Sequence, residues 1–310
     1  MQWSDINRKL LDKVLELFPE KRASTVYHYT SLEVLWEFLK PNYDFLCTYC
    51  KALSDPTEFK KGMNACAKMW RKLCDGDSEK FLLPFQGAVT LSGDGGLNCV
   101  PWTMSFSTAD DETSQWKNYT DNRKGGCAVG FSAEKIMQDI KRGLTQDDWC
   151  LISFLPCVYV GYDREELVYK LFEYVMTDVV KDLVCMLSLG GNDDRDSNTA
   201  QTLAFLLLCS IVKHKDFREE REWRLILQPL DFTRVAKAVA MKGGKIRMET
   251  GVWCDKRKVS DCIERIIISP HGPSENLMEM GELFVALRGL QKDGRPIVVP
   301  SESPYRGALK

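Results

Sequence analysis

Apolar residues recur at helical spacing near the start of the chain. Residues 4–18 predict an amphipathic helix whose apolar face includes Ile6, Leu10 and Val14, and Pro19 ends it. The same periodicity predicts further helices at residues 30–39, 58–74, 165–189, 200–213 and 275–290. Shorter alternating or continuous apolar runs predict strands at residues 25–29, 100–107, 127–131, 151–160, 220–227, 245–250, 263–269 and 296–299.

The mixture of predicted strands and helices indicates the fold class. It predicts an α+β or mixed α/β protein, and the chain contains no internal repeat. The polar stretch near residues 190–198 contains two glycines and lacks periodicity. It therefore predicts a mobile loop within a single domain that spans residues 1–310.

Composition narrows the class of protein without identifying a function. The chain has 310 residues, of which 44% are hydrophobic and 28% charged, as expected for a soluble globular protein with a sizeable core. The formal net charge of −2 argues against a strongly basic nucleic-acid binder but is compatible with a local basic groove. Because the chain has no run of about 18 apolar residues and no basic-then-apolar N-terminal segment, we expect a cytoplasmic protein.

The twelve cysteines give little support for metal or redox chemistry. Only Cys47 and Cys50 form a close pair, and the chain has no second such pair and no histidine at zinc spacing. Many of the other cysteines lie in apolar stretches, where a free thiol packs as a small hydrophobic group. We therefore predict no metal site, and the role of Cys47 and Cys50 stays open.

Two carboxylates stand two residues apart where the pattern becomes strand-like. On a strand, Glu220 and Glu222 would project from the same face and repel each other. Such a pair is kept only if a site uses it or if cations neutralise it. Both interpretations remain open, because Arg218, Arg221 and Arg224 are close enough in sequence to balance a charged strand edge.

Other candidate residues lie at the ends of predicted strands or on a short helix. His28 lies near the end of a predicted strand and is flanked by tyrosines, so it is either a ligand contact or a partly buried structural histidine. Ser105 and Ser107 share one face of a strand and could bind a ligand or cap the next helix. Trp116 and Tyr119 are three residues apart, which suits either a core pair or a stacking platform.

Together these motifs resemble a widespread and uncharacterised bacterial family, a domain of unknown function. The resemblance covers roughly residues 25–230 and rests on four motifs in a fixed order. They are Tyr27-His28-Tyr29-Thr30, Asp55-Pro56-Thr57-Glu58, Trp116-x-x-Tyr119 with the strand after Gly126, and Glu220-x-Glu222-Trp223-Arg224.

The layout is also similar, more distantly, to the ADP-ribosyltransferases. That resemblance implies an α+β fold with a mixed, mostly antiparallel split sheet flanked by helices, and NAD as the bound nucleotide. The NAD contacts that it implies come from His28, Tyr29, Thr30, Ser105, Ser107, Trp116 and Tyr119.

The same resemblance implies individual roles. His28 would hydrogen-bond a ribose of NAD, Ser105 or Ser107 would support the nicotinamide ribose, and Tyr119 or Tyr29 would stack on the nicotinamide. Glu222 would be the catalytic carboxylate, since a preorganised negative charge stabilises the positive charge that develops on the ribose. Glu220 would orient the acceptor.

The expected function is therefore an enzyme that uses NAD to modify a macromolecule, or that hydrolyses NAD, in phage defence or a toxin system. A non-catalytic module that senses a nucleotide or a protein remains an alternative, and a nuclease is a further one. The acceptor, protein or nucleic acid, and the oligomeric state are left open, and no membrane partner is expected.

Overall fold

A computed structural model of the chain describes residues 2–40, 45–50, 53, 55, 57–75, 100–120, 124–143, 150–161, 164–187, 193–230, 239–242, 245–249, 259–272, 274–287 and 297–304. The helices are α1 (Trp3–Leu17), α2 (Leu32–Phe38), α3 (Thr57–Leu73), α4 (Thr113–Tyr119), α5 (Ala133–Gly143), α6 (Glu165–Tyr174), α7 (Val180–Leu187), α8 (Asp193–Ile211) and α9 (Ser274–Leu287). The strands are β1 (Thr25–Thr30), β2 (Leu46–Tyr49), β3 (Trp102–Ser107), β4 (Cys127–Ser132), β5 (Cys150–Pro156), β6 (Val158–Val160), β7 (Val212–His214), β8 (Glu222–Pro229), β9 (Val239–Lys242), β10 (Lys245–Glu249), β11 (Ile263–Ile268) and β12 (Val298–Pro300).

Ten of these strands form one sheet. Its main path runs β12-β11-β4-β1-β3-β2-β10-β9, and β8 joins it by pairing with β3 on one side and β5 on the other. All of its pairs are antiparallel except that of β11 with the edge strand β12. A separate parallel ribbon joins β6 and β7. The prediction of an α+β protein with a mixed, mostly antiparallel sheet flanked by helices is confirmed.

The sheet divides at β3. Strand β8 pairs with β3 along its whole length, from Trp102 to Ser107. A strand has two edges, so β1 and β2 must share the other one. Strand β2 pairs with Trp102 and Thr103 at one end of that edge, and β1 pairs with Ser107 at the other. Among the residues that the structure describes, no strand pairs with the edge of β3 between them, and we call this gap the fork.

The core lies between the sheet and the helices on its faces. Strands β5 and β8 are buried along their whole lengths, as expected of strands covered on both faces. A cluster of aromatic rings, with centroids 5.4–6.0 Å apart and steep interplanar angles, fills the space beneath the fork. Its members are Phe38, Phe45, Phe106 and Phe131. The rigid aromatic layer fixes the strands on either side of the gap.

The boundaries of several elements differ from the predicted ones; the helix predicted for residues 200–213, for example, ends at Ile211 and is followed by β7. Helix α8 begins at Asp193, so residues 193–198 are helical where a loop was predicted; residues 190–192 lie outside the described residues. The polar first turns of α8 carry no apolar periodicity, which hid the helix from the pattern. The strand predicted for residues 151–160 is two strands, β5 and β6, that belong to different sheets and meet at Cys157.

One glycine sets how closely α3 approaches α8. A Cβ atom on Gly62 would lie 2.5 Å from the carbonyl oxygen of Cys209 and 2.8 Å from that of Val212. Both neighbours are backbone atoms that hold the end of α8 and the start of β7. A larger residue would push α3 away, and with it Glu58 one turn earlier.

We predict that Gly62→Ala destabilises the protein by about 1–3 kcal/mol, the usual cost of overpacking a tight contact. Alanine in place of glycine normally stabilises a helix interior by about 0.5–1 kcal/mol, so the sign is diagnostic. Urea denaturation at pH 7 measures the change, with Asn64→Ala on the exposed face of α3 as the control. A Gly62→Ala variant as stable as the wild type would contradict the close contact.

Candidate functional site

A polar pocket of about 480 Å³ opens at the fork. Residues of β1, α2, β2 and β3 line it, together with residues of α3, α4 and the segment from β7 to β8. The lining residues are His28, Tyr29, Thr30, Val34, Phe38, Leu46, Thr48, Leu53, Asp55, Glu58, Thr103, Met104, Ser105, Asn118, Tyr119, Lys213, Phe217, Glu220, Glu222 and Arg224. The pocket thus unites most of the residues that the sequence singled out.

A buried carboxylate held by two cations forms the floor. Arg224 binds Glu222 side-on, with Nε 2.8 Å from Oε1 and Nη2 3.0 Å from Oε2. Lys213 Nζ donates to Glu222 Oε2 at 2.5 Å. The side chains of all three residues are at most 4% exposed. Each oxygen of Glu222 therefore has a charged donor, which satisfies the requirement for burying an ion.

Two further carboxylates complete this group, which we call the charge cluster: Glu58, Lys213, Glu220, Glu222 and Arg224. Lys213 Nζ lies 2.6 Å from Glu220 Oε2 and 3.3 Å from Glu58 Oε1. Arg224 also donates to Glu58 and, through Nη1, to the carbonyl oxygen of Ser210 at 2.6 Å. Three carboxylates and two cations leave one excess negative charge. The side chains of Glu220 and Glu58 are 20% and 13% exposed, so this excess faces the pocket.

The cluster separates the pKa values of its two neighbouring glutamates. Burial by itself raises the pKa of Glu222, but Arg224 and Lys213 overcome it and hold that pKa well below the usual 4.5. For Glu220, burial outweighs the attraction of Lys213, so its pKa is raised. Burial lowers the pKa of Lys213, yet Glu222 and Glu58 more than compensate and raise it. Glu222 is therefore a permanent anion beside a more easily protonated carboxyl.

A left-handed residue explains why the two glutamates converge. Glu220 ends a 3-10 helix, and Arg221 adopts φ 45° and ψ 46°, so β8 begins only at Glu222. The expectation that both glutamates lie on one strand was wrong, because this αL turn interrupts the extended backbone. The Glu220 carbonyl oxygen accepts hydrogen bonds from Ser107 Oγ at 2.7 Å and Gln115 Nε2 at 3.4 Å, which hold the turn.

Ser105 and Ser107 therefore differ in position. Ser107 is buried; it lines a small side cavity of about 50 Å³ and acts on the site through the Glu220 backbone. Ser105 lines the main pocket, and its carbonyl oxygen lies 2.9 Å from His28 Nδ1. A carbonyl can only accept, so Nδ1 carries a proton. The ring of His28 is thereby oriented across the fork from β1 to β3.

Tyr29 and Trp116 serve mainly as packing behind the pocket. Tyr29 donates to the carbonyl oxygen of Ala109 at 2.9 Å and accepts from the amide of Glu112 at 3.1 Å. Its ring contacts Trp116 edge-on, with centroids 4.8 Å apart. Trp116 is fully buried, donates from Nε1 to Asp111 at 2.6 Å and does not line the pocket. Burial raises the pKa of Tyr29, which stays neutral.

The rim of the pocket carries the aromatic surface that a flat ligand could use. Tyr119, at the end of α4, is 44% exposed. Phe217 lies in the 3-10 helix before β8, with Lys213 Nζ 4.9 Å and Lys61 Nζ 5.3 Å from its ring centroid. Thr30 is buried at the end of β1 and lines the pocket. The predicted residues His28, Tyr29, Thr30, Ser105, Tyr119, Glu220 and Glu222 thus meet at one site, and Trp116 does not.

Sequence reasoning did not nominate Lys213, Arg224 or Glu58 as site residues. Glu58 belongs to a motif that was recognised but was given no role, and Arg224 was considered only as a cation that could balance the charged strand edge. Lys213 follows a long apolar run that ends Ile211-Val212, and a charge inside such a run is the signal that could have revealed it.

Cys47 and Cys50 are buried thiols, and burial raises the pKa of Cys50 to about 12. In the part of the chain that the structure describes, no group of three or more His, Cys, Asp or Glu side chains is arranged to hold a metal ion. Within the same residues, every helix is too short or too polar to cross a membrane.

The fold and site define an α+β protein with a forked sheet and a polar pocket above a buried charge cluster. Residues 115–225 match the model of a family described as "Protein of unknown function (DUF2971)", which supports the prediction of an uncharacterised domain family. The matched segment includes Tyr119, Lys213, Glu220, Glu222 and Arg224, and it excludes His28 and Glu58. No curated protein and no solved structure gives a match to this chain.

We predict that Lys213→Met destabilises the protein by about 3–5 kcal/mol, because it leaves buried carboxylates without their shared cation. Adding Glu220→Gln to that variant should recover part of the loss, since it removes one of the uncompensated charges. Urea denaturation at pH 7 measures both. Lys9→Met, which breaks an exposed pair with Asp182, is the control and should cost at most about 1 kcal/mol. If Lys213→Met lowered the free energy of unfolding no more than this control does, the role of Lys213 in the charge cluster would be contradicted.

A second prediction concerns the stability of the protein at acidic pH. The depressed pKa of Glu222 contributes stability that is present above pH 4.5 and is lost as the pH falls below that value, because the unfolded state then binds the proton more tightly. The raised pKa of Glu220 acts oppositely, and its contribution declines as the pH rises above 4.5. Unfolding free energies between pH 7 and pH 3.5 should fall more steeply for the wild type than for Glu222→Gln. The control is Glu219→Gln, at an exposed site, whose stability should change with pH as that of the wild type does. If the stabilities of the wild type and Glu222→Gln fell in parallel, the depressed pKa of Glu222 would be contradicted.

Proposed function

We propose that this pocket binds NAD and that the protein is an ADP-ribosyltransferase-like enzyme, which transfers ADP-ribose to a macromolecule or to water. The observation that carries the proposal is the meeting of His28, Ser105 and Glu222 at one pocket from three adjacent strands, β1, β3 and β8. The resemblance to ADP-ribosyltransferases implies these three groups in this order along the chain: a ribose-binding side chain, a middle strand that carries a hydroxyl group, and a carboxylate.

The size and charge of the pocket fit the nicotinamide end of NAD. A volume of about 480 Å³ lies within the usual range of about 300–1,000 Å³ for small-molecule sites. Its lining carries four carboxylates and two cations, and the pyridinium ring of NAD is positively charged. Tyr119 offers a partly exposed ring face for stacking. His28 and Ser105, joined across the fork, are within the pocket to bind ribose hydroxyls.

Glu222 is suited to stabilise developing positive charge. In the proposed reaction, the bond between the nicotinamide and the ribose of NAD breaks, and nicotinamide leaves with the electron pair. A nucleophile of the acceptor, or water, then forms a bond to the ribose carbon and loses a proton. Glu222 needs no reorganisation during that step, because Arg224 and Lys213 already fix its carboxylate and keep it ionised. The buried surroundings strengthen its field, since Coulomb energies grow as the effective dielectric constant falls.

Glu220 has a different part in this proposal. Its carboxylate is nearer solvent and is bonded to Lys213 through Oε2. Its raised pKa also makes it the better proton acceptor of the two. We assign to Glu220 the orientation and deprotonation of the acceptor, and to Glu222 the stabilisation of the ribosyl cation.

The test is nicotinamide release from NAD, with and without cell lysate as a source of acceptors. We expect Glu222→Gln to reduce release by about 100- to 1000-fold, as for the loss of other preorganised groups. Glu220→Gln should retain release in the absence of acceptor but lose the transfer of labelled ADP-ribose to macromolecules. Equal trace release by the wild type and Glu222→Gln with every acceptor would overturn the proposal.

Two controls make this test specific. Glu219→Gln changes an exposed neighbour outside the pocket and should leave release unchanged. Because Glu222→Gln also disturbs a buried ion pair, its circular dichroism spectrum and melting temperature must be compared with those of the wild type. If it does not fold, His28→Ala provides an independent pocket variant.

A second candidate is a non-catalytic module that senses a nucleotide or a partner. The observation that favours it is the saturation of Glu222, whose Oε1 accepts from Arg224 and whose Oε2 accepts from Arg224 and Lys213. A module of this kind would gain thermal stability with NAD without releasing nicotinamide. Its affinity for NAD would be unchanged by Glu220→Gln.

A further inference from the structure

The carboxylate of Asp111 gathers four hydrogen bonds from two parts of the chain. Asp111 precedes α4, and its Oδ1 accepts from Trp116 Nε1 at 2.6 Å and from Ser301 Oγ at 2.5 Å. Its Oδ2 accepts from the backbone amides of Glu302 at 2.6 Å and Ser303 at 3.0 Å. One side chain therefore joins α4 to the segment 301–303, which we call the strap.

The strap is itself fixed to the sheet. It follows the edge strand β12, and the amide of Ser301 donates to the carbonyl oxygen of Ile268 in β11 at 2.9 Å. Ser301 Oγ also accepts from the amide of Ser303 at 3.1 Å, which closes the strap into a turn. Ser303 is buried, and its hydroxyl oxygen lies 3.1 Å from that of Thr113, the first residue of α4. The strap thus connects β11 with the first turn of α4.

Helix α4 is too short to hold its own position. It has seven residues, and an isolated helix of that length is unstable in water. Its N-cap residue, Glu112, makes no side-chain capping hydrogen bond. Of its own residues, Gln115 and Trp116 are buried. The place of α4 is therefore set by tertiary contacts, and Asp111 accepts the hydrogen bond of the most deeply buried of these side chains.

Helix α4 in turn carries groups of the pocket. Asn118 and Tyr119, near its end, line the pocket, and the ring of Tyr119 is partly exposed there. On the side of the helix that faces the charge cluster, Gln115 Nε2 donates to the carbonyl oxygen of Glu220 at 3.4 Å. A displacement of α4 would therefore move the aromatic rim of the pocket before it moved the floor.

We infer that Asp111 is a positioning residue of this pocket: by fastening the strap to Trp116 it sets the place of α4, and with it the ring of Tyr119. The inference rests on the proposed function for the part that Tyr119 plays, as the ring that stacks on nicotinamide. Asp111 lies outside the pocket lining, so it acts only through α4. Glu222 is fixed by its own ion pairs instead. Loss of the Asp111 carboxylate should therefore weaken NAD binding and spare the chemical step.

The test variant is Asp111→Asn. Asparagine keeps one oxygen for two of the four donors but turns an NH2 group toward the other two, so one side chain no longer holds both the strap and α4. We expect the KM for NAD in nicotinamide release to rise about ten-fold, the scale of one lost stacking contact, and kcat to stay within about two-fold. If Asp111 served only overall stability, the variant would lower the amount of folded enzyme, and hence kcat, at an unchanged KM.

Two matched controls lie beside the test position. Asp110→Asn makes the same chemical change one residue earlier, at an exposed carboxylate outside the pocket lining. Glu302→Gln changes a side chain of the strap and keeps the backbone amide that Asp111 binds. Both should leave the KM unchanged. Ser301→Ala removes two hydrogen bonds of the strap without changing any charge; it should raise the KM about three-fold, and it replaces Asp111→Asn if that variant does not fold.

Hydrogen exchange followed by mass spectrometry measures the strap without NAD. Asp111→Asn should speed amide exchange in α4 and in the strap by at least roughly ten-fold, and it should leave exchange in α1 unchanged. In an enzyme that releases nicotinamide, an unchanged KM, a fall in kcat at the wild-type KM, or wild-type exchange in α4 would each overturn the inference and leave the proposed function in place. Faster exchange in α4, in a protein whose wild type releases no nicotinamide, would refute the proposed function and preserve the attachment of α4 through Asp111.

Discussion

The ion pair between Glu222 and Arg224, completed by Lys213, is the interaction on which the rest of this structure depends. It is buried, and each of its members is tied to a different part of the fold. Arg224 reaches the carbonyl oxygen of Ser210 at the end of α8, and Lys213 belongs to β7. Glu58 brings in the first turn of α3. Four elements therefore meet at one set of charges, and their relative positions are fixed by electrostatic attraction as well as by apolar packing.

That junction also explains the pocket. The fork exists because β1 and β2 share one edge of β3 while β8 takes the other. On that other edge, β8 begins at Glu222. The αL turn at Arg221 directs Glu220 toward Lys213, which also binds Glu222. The aromatic rings beneath the fork keep its walls apart. Sheet topology creates the opening, and the charge cluster gives its floor a permanent negative charge.

The sequence predicted much of the fold because its signals were local. Amphipathic periodicity predicted α1, and continuous apolar runs predicted β4 and β11. Strands β2 and β9 have only four residues each, and they were not predicted because so short a run shows no measurable hydrophobic periodicity. At the site, His28, Ser105 and Glu222 were predicted from their places at strand ends. Lys213 was not, because its role depends on acids from distant segments, and the αL turn at Arg221 has no glycine to mark it.

The cost of the charge cluster bears on whether it serves structure alone. Burying ions costs several kcal/mol each in lost hydration, and well-packed apolar residues often replace a buried pair without loss of stability. A cluster that served only to join α3, β7 and β8 would therefore be an expensive solution, and its most stable form would have balanced charges and no access to water. This one has an excess carboxylate, and the side chains that carry the excess, Glu58 and Glu220, line the pocket. The open and unbalanced side of the cluster is the feature that packing does not require, and in the proposed function it faces the positively charged ring of NAD.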